Sequence, residues 1–514
     1  MLCAKSDLQA RGLWAWQRGL YLLALESWNG WREEARRSGD KVAELRSLNA
    51  LGCVQFQLGR VQRAHALWEE AYAMFEAGAA GEPSDRVKVM SNLALAYFHM
   101  GRMEDAQRYL QVARTNAAEV EPELWAHVEH VACNVWLALE QWCEAEAAAQ
   151  RALALLDETA HAARIAQLTS NIGLTHLERG NLRCARHHLE FARELLEKLG
   201  MEEELGYTYC ELGRLHYLMG DLNQAAYYGS EALRVLWSNV VTMHKSEVAR
   251  VSELFGSIAL ATGDRHTALM DLQRASTYFA QSSLWHEWSR VNRQLDELVR
   301  QRGRGQGWGD GAAATIHPES KERLRYFTTL LDLLDSIESL YPDMRQKAEL
   351  TGRYALRLGD LHGLTPAERE ALQHAAKLHD IGMTSLDPEL VQRDQHLTPV
   401  ARDRVQAHPL FGEKILGLFP VPALCLEAVK HHHERYDGLG FPDGLAGDEI
   451  PLLSRIIAVA ATYVSYGLEL GHTAAMEELA ARRGRHLDPQ LVDAFLRMHD
   501  PAQDPVVAGG PLRS

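Results

Sequence analysis

A chain of 514 residues is too long for one compact core and suits two to four domains. Its formal charge of -15, from 69 acidic against 54 basic residues, provides no basic field to hold a phosphate backbone and argues against nucleic acid as a general partner. The seven cysteines (Cys3, Cys53, Cys133, Cys143, Cys184, Cys210, Cys425) include no C-x-x-C pair and fall mostly inside apolar helical patterns, which fits a reducing cytosol.

The first residues, MLCAKSDLQARGLWAW, lack the charged start, apolar run and small-residue cleavage site of a signal peptide. The most apolar later stretch, Pro451 to Leu470, is interrupted by Arg455 and reads as a buried helix. A cytoplasmic protein with no membrane partner is expected.

Internal repetition dominates the first 300 or so residues. Gly59, Gly101, Gly180, Gly220 and Gly263 each precede alanines at +5 and +12, as in Ala64/Ala71, Ala185/Ala192 and Ala268/Ala275. Glu140 takes the glycine's place before Ala145 and Ala152, and Gly19 marks a weaker first unit, with steps of 39 to 43 residues throughout. Seven residues before each marker lies another small residue: Gly12, Gly52, Ala94, Cys133, Gly173, Gly213 and Gly256. Short side chains let two antiparallel helices approach, and the glycine between them can take the left-handed conformation that ends the first helix. This pattern resembles the tetratricopeptide repeat, with about seven units over residues 1–299. The resemblance implies a protein-docking array. The aromatic-rich start (Trp14, Trp16, Tyr21, Trp28, Trp31) reads better as a cap packed on the first repeat than as an exposed interaction patch.

Residues 300–318, beginning RQRGRGQGWGDGAAAT, read as a linker. Beyond them, Arg325 to Leu340 carries apolar residues at helical spacing (Tyr326, Leu330, Leu333, Leu334, Ile337), which predicts a helix leading into a domain over 319–500 and a candidate homodimer contact. Residues 501–514 read as a flexible tail.

Within 319–500, an apolar helical run ends in His379 and Asp380, where adjacent side chains can reach one cation lodged between helices. The chain adds His408 in QAHPLFGEKIL, then His431, His432, His433 and Glu434 before RYDGLGFP. Imidazoles with a carboxylate suit iron, manganese, zinc or nickel. Taken alone, Asp437-Gly438 and Gly440-Phe441-Pro442 are ordinary turn chemistry.

In order and spacing, the stretch from about Leu324 to Leu496 resembles the HD-GYP family, a branch of the HD metal-dependent phosphohydrolases. The family signature reads H-D-I-G-K, later H-P, then H-H-E-x-x-D-G-x-G-Y-P, then a helix containing an aspartate. This chain shows His379-Asp380-Ile381-Gly382-Met383, then His408-Pro409, then His432-His433-Glu434 running on to Gly440-Phe441-Pro442. The resemblance implies an all-α protein, a repeat solenoid followed by an HD-superfamily domain that binds iron or manganese and hydrolyses cyclic di-GMP. Carried over by motif, Asp380 bridges the metals and is the catalytic-centre residue of an active site. His408, His432 and His433 surround one ion, His379 serves its neighbour, and Gly440, Phe441 and Pro442 contact substrate.

Several positions depart from the family. Alignment through Tyr354-Ala355 puts Lys347 at the first ligand histidine, with Asp343 one turn earlier, and lysine is a poor ligand while charged. Ala461 stands at the late aspartate, Met383 at the motif lysine and Phe441 at the tyrosine, and the basic stretch expected after Ala461 is missing from TYVSYGLELGHTAAMEELA. Two lost ligands predict at most one well-held divalent ion. The alternative is a metal-free polar core in which neutral histidines pair with Asp380. A two-ion mechanism uses both cations to activate water and clamp the attacking and leaving oxygens, so losing one is a chemical handicap. The reading favours a signalling protein that docks a protein partner through its repeats and uses the second domain as a binding or scaffold module for a cyclic dinucleotide, with impaired catalysis. The alternatives are an active phosphodiesterase on cyclic di-GMP or a related phosphodiester, and a hydrolase of another phosphate substrate.

Overall fold

The computed structural model describes residues 7–78, 81–115, 120–237, 245–282, 284–303, 316–322, 324, 344–386, 399–417 and 421–500. The helix expected over Arg325 to Leu340, Asp343, residues 304–315 of the linker and the tail 501–514 lie outside the described residues. Among those described there is no strand, only an isolated bridge between Arg483 and Leu487, and the fold is all-α. No described helix is long and apolar enough to cross a membrane.

By packing, the chain forms two units: Met1–Arg60 together with Asp335–Ser514, and Val61–Leu334. Chain order alone places the first 60 residues with the repeats, whereas their contacts place them with the C-terminal helices. The first unit begins with α1 (Asp7–Gln17), α2 (Tyr21–Ser38) and α3 (Lys41–Gln57). The second holds α4 (Val61–Glu76), α5 (Pro83–His99), α6 (Met103–Thr115), α7 (Pro122–Ala138), α8 (Trp142–Leu153) and α9 (Ala162–Glu178). It continues with α10 (Leu182–Leu199), α11 (Glu202–Leu218), α12 (Leu222–Trp237), α13 (Lys245–Ala261), α14 (Arg265–Gln281) and α15 (Trp285–Gly303).

In the second unit the helices pair as antiparallel hairpins, and each hairpin packs on the next. The repeated small residues explain why. Every alanine at the +5 and +12 positions from Ala64 to Ala275 is fully buried. A Cβ on Gly173 would lie 2.7 Å from Leu189 Cγ, and one on Gly256 would lie 2.7 Å from Leu272 Cγ, so each hairpin closes over a residue without a side chain. The marker glycines turn the corners with φ between 62° and 82°, and Glu140 takes the same left-handed conformation at φ 58°. Polar bonds join successive repeats along the first helix of each pair: Gln167 to Glu204 at 2.8 Å, Arg250 to both Glu211 (3.3 Å) and Glu287 (3.1 Å), and Arg290 to Glu253 at 2.6 Å.

The first unit resumes with α16 (Met344–Leu361), α17 (Pro366–Leu378), α18 (Pro399–Gln406), α19 (His408–Leu416), α20 (Ala423–Lys430), α21 (Leu452–Leu470), α22 (His472–Arg482) and α23 (Pro489–Met498). Helix α17 has a locally fixed start: Thr365 and Glu368 form a reciprocal capping box, and Pro366 occupies the first turn. The core is aromatic, with Tyr354, Tyr463 and Phe495 all fully buried. Trp14, Tyr21, Trp28 and Trp31 are buried too and Trp16 is half-buried, so the aromatic start is packed and not an exposed patch. Its neighbours include the C-terminal helices. Arg353 donates to the Tyr21 hydroxyl at 2.9 Å, Gln346 donates to the Leu58 carbonyl at 2.9 Å, and Glu26 accepts the Thr473 N–H at 2.9 Å. A Cβ on Gly467 of α21 would lie 2.5 Å from Leu22 Cδ1, so this glycine admits α2.

Candidate metal centre

Three helix ends converge to build the site. His379 caps α17, Asp380 follows it, and a 3-10 turn (Ile381–Ser385) carries the chain away. A Cβ on Gly382 would collide with the His408 carbonyl and lie 2.5 Å from Gly412 N, so only glycine lets this turn press against α19 and bring Asp380 to His408. His408 opens α19 with Pro409 behind it, and His431, His432 and His433 follow α20.

The imidazoles are oriented by the backbone. His379 Nδ1 donates to the Ala376 carbonyl at 2.9 Å, His408 Nδ1 to Val405 at 2.7 Å, and His432 Nδ1 to Val429 at 2.6 Å. Each bond reaches back three residues. It holds the proton on Nδ1 and turns Nε2 inward, the arrangement that metal-ligating histidines use. His408 Nε2 and His432 Nε2 then face each other across 3.3 Å, and Asp380 Oδ1 lies 3.3 Å and 3.5 Å from them. His379 Nε2 meets the other oxygen, Oδ2, at 3.2 Å.

Burial lowers the pKa of His432 to about 4, only partly offset by the Asp380 carboxylate, so this ring is neutral near pH 7. The surrounding protein mass, followed by the His432 and His408 rings, holds His433 well below the ordinary value although the residue is exposed to solvent. Burial disfavours charge on Asp380 as well, but the charge of His379 and its hydrogen bond, with smaller contributions from the nearby His408 and His432 rings, outweigh it and hold the carboxyl well below the usual range. His379 is raised: burial pushes it down, the Asp380 charge pushes it up and wins, and Lys347 opposes.

Asp380, His408, His432 and His433 offer four ligand atoms within 4.8 Å of one another, a cluster that could hold a metal. The donor chemistry fits. Two imidazole lone pairs and a carboxylate oxygen converge with their own donors already committed to carbonyls, which leaves acceptors facing acceptors unless a cation lies among them. His379 stands beside this group, on the far oxygen of Asp380.

Two residues of the sequence constellation turn elsewhere. His431 Nε2 lies 3.0 Å from Asp443 Oδ2, a carboxylate that also accepts Lys430 Nζ at 2.6 Å. Glu434 accepts the backbone N–H groups of Asp443 (2.7 Å), Gly444 (3.0 Å) and Leu445 (3.1 Å), so this buried carboxylate fastens a loop and supplies no ligand. Phe441 stacks on His433 with centroids 4.9 Å apart and planes 20° off parallel. Lys347 is exposed on α16 and forms no ion pair with Asp380 among the described residues, although its charge is felt at His379. Met383 and Ala461 are half-buried, on the 3-10 turn and on α21. Sequence reasoning missed the carbonyls of Ala376, Val405 and Val429. Their signal was the placement of His379 and His432 directly after a helix, where the last carbonyls lack partners.

The HD domain family matches residues 333–491, and the tetratricopeptide repeat family matches 87–115. The chain therefore joins an HD domain to tetratricopeptide repeats. Its curated relatives are cyclic dinucleotide phosphodiesterases. The cyclic di-GMP phosphodiesterase response regulator RpfG of Xanthomonas campestris pv. campestris is 32% identical over 193 residues, 35% of this chain and 49% of that protein. A cyclic di-GMP phosphodiesterase of Thermotoga maritima is 30% identical over 191 residues, covering 35% and 52%. The 3'3'-cGAMP-specific phosphodiesterase 2 of Vibrio cholerae is 28% identical over 177 residues, covering 33% and 34%. The chain thus matches about a third to a half of each relative's length.

Proposed function

We propose that this is a signalling protein in which the repeats dock a protein partner and the HD domain holds one divalent ion and binds a cyclic dinucleotide, with hydrolysis impaired. The observation that carries this reading is the contrast within the site. Asp380, His408, His432 and His433 form a preorganised ligand set around one position, while the residues aligned with ligands of a second ion are Lys347 and Ala461. Such an ion, iron or manganese by family resemblance, supplies Lewis acidity toward a phosphodiester oxygen.

The chain's own residues have separable tasks. Asp380, with its lowered pKa, stays anionic at neutral pH and compensates a cation's charge. His408 and His432 turn Nε2 inward, held by their Nδ1 bonds, and burial keeps His432 neutral near pH 7. His379 bonds Asp380 Oδ2 and fixes the orientation of that carboxylate. Gly440, Phe441 and Pro442 border the site at His433 and form the side from which a substrate enters. The carbon side chain of Ala461 can neither coordinate nor accept a proton, and the missing basic stretch leaves the phosphates less tightly held.

The test is elemental analysis of full-length protein purified under low oxygen, with cyclic di-GMP binding and hydrolysis measured on the same sample in added manganese or iron. About one ion per chain, with nucleotide bound and no multiple turnover, is the expected result. Two ions per chain with multiple turnover sink it. The second reading, an active phosphodiesterase, is supported by the activities for which the relatives are named and by the preserved four-ligand cluster. It predicts that two-ion result.

A further inference from the structure

Three of the four inward-facing histidines are aimed by a hydrogen bond from Nδ1 to the carbonyl three residues earlier. His433 is the exception. Among the described residues no carbonyl accepts a bond from its ring, yet it supplies one of the four clustered ligand atoms. An imidazole without such a bond rotates about its side-chain torsions unless something else stops it.

Three rings border it: His432 at 4.2 Å and tilted by 45°, His408 at 4.9 Å and edge-on, and Phe441, which at 4.9 Å and 20° is the one that lies nearly parallel over its face and is not itself a proposed ligand. Phe441 is itself fastened on both sides. Before it, a Cβ on Gly440 would lie 2.5 Å from Glu434 Cα, so only glycine lets the loop lie flat against the backbone just after His433. The Phe441 N–H donates to the His433 carbonyl at 3.3 Å. After it, the Glu434 carboxylate holds the N–H groups of Asp443, Gly444 and Leu445. The loop is therefore a clamp whose closed end is the Phe441 ring.

We infer that Phe441 is the positioning residue for His433, its ring stack replacing the carbonyl bond that aims His408 and His432. This rests on the proposed metal site and gives Phe441 a role separate from substrate contact. A flat aromatic ring is required. An aliphatic side chain of similar volume fills the space but leaves the imidazole free to turn.

The test uses the full chain with Co2+ as the probe. Affinity is measured by chelator competition, and the visible d–d spectrum reports the number and geometry of ligands. Loss of a group that orients a metal ligand costs about 10- to 100-fold in affinity. F441A and F441L are both expected to bind at least tenfold more weakly with an altered spectrum, and F441Y to remain within about threefold of the parent. F441L and F441Y, which keep a large apolar body, guard against a trivial failure of F441A to fold, with circular dichroism as the check. Parent-like affinity and spectrum in folded F441L overturn the inference while the metal site stands. Absence of Co2+ binding by the parent overturns the metal reading as well.

Discussion

Replacing His432 with alanine separates the ligands of the proposed ion from their neighbours. The ring lies 3.3 Å from His408 Nε2 and 3.5 Å from Asp380 Oδ1, so the substitution removes one of four converging donors. Apparent binding free energies of four-ligand structural zinc sites run about 10–16 kcal/mol, or about 3 kcal/mol per ligand, so H432A should weaken binding by about two decades. His379 is the internal comparison. It is as buried as a ligand but faces Asp380 Oδ2 from outside the four-atom group, so H379A should cost no more than about tenfold, the smaller effect of an orienting partner. Both values come from competition titrations with Co2+ or Zn2+, with thermal melts of the metal-free proteins confirming that each variant folds. An H379A loss equal to that of H432A would refute the assignment and make His379 a ligand of the same ion. Unchanged affinity in H432A would place the ion elsewhere.

Three further outcomes concern packing and titration. Glu140 carries a left-handed backbone penalty of about 1–2 kcal/mol at φ 58°, so E140G, after subtracting glycine's unfolded-state entropy, should stabilise by about 0.5–1 kcal/mol in urea denaturation. G173A should destabilise by about 1–3 kcal/mol despite alanine's better helix propensity, because its Cβ would lie 2.7 Å from Leu189 Cγ; a melt equal to the parent's would show that the hairpin relaxes freely. Burial lowers His472 to about 4 and His499 to about 3, with Arg11 facing the first and His472 and Arg357 facing the second. Both stay neutral when folded but protonate in the unfolded chain near the ordinary value of about 6.5. Stability is then complete above about pH 6.5 and falls toward pH 4, by about 2 kcal/mol per histidine at pH 5. A flat urea midpoint between pH 7.5 and pH 5 contradicts this.

The repeats were legible because their constraints are local. A glycine at a helix corner and alanines at +5 and +12 reflect steric limits on two or three neighbouring residues, which is why even Glu140 could be placed at a corner from its register. The HD domain was legible as a motif, since His379-Asp380, His408 and His432-His433 keep their order and spacing whatever surrounds them. Their inward aim also has a local cause, a bond from Nδ1 of His379, His408 and His432 to a carbonyl three residues back.

Side-chain direction and long-range packing were not written in that pattern. His431 and Glu434 sit beside His432 and His433 in sequence, yet one pairs with Asp443 and the other fastens the loop after Pro442, because successive residues leaving a helix point to different sides. The stack of Phe441 on His433 depends on how that loop folds back. Contacts between residues more than 300 positions apart, such as Arg353 with Tyr21 and Thr473 with Glu26, bring the first helices into the packing unit of the HD domain. Sequence thus determined the helices, their corners and the set of groups available for chemistry. Tertiary structure decided which of those groups converge, because convergence depends on distances between elements that no local pattern encodes.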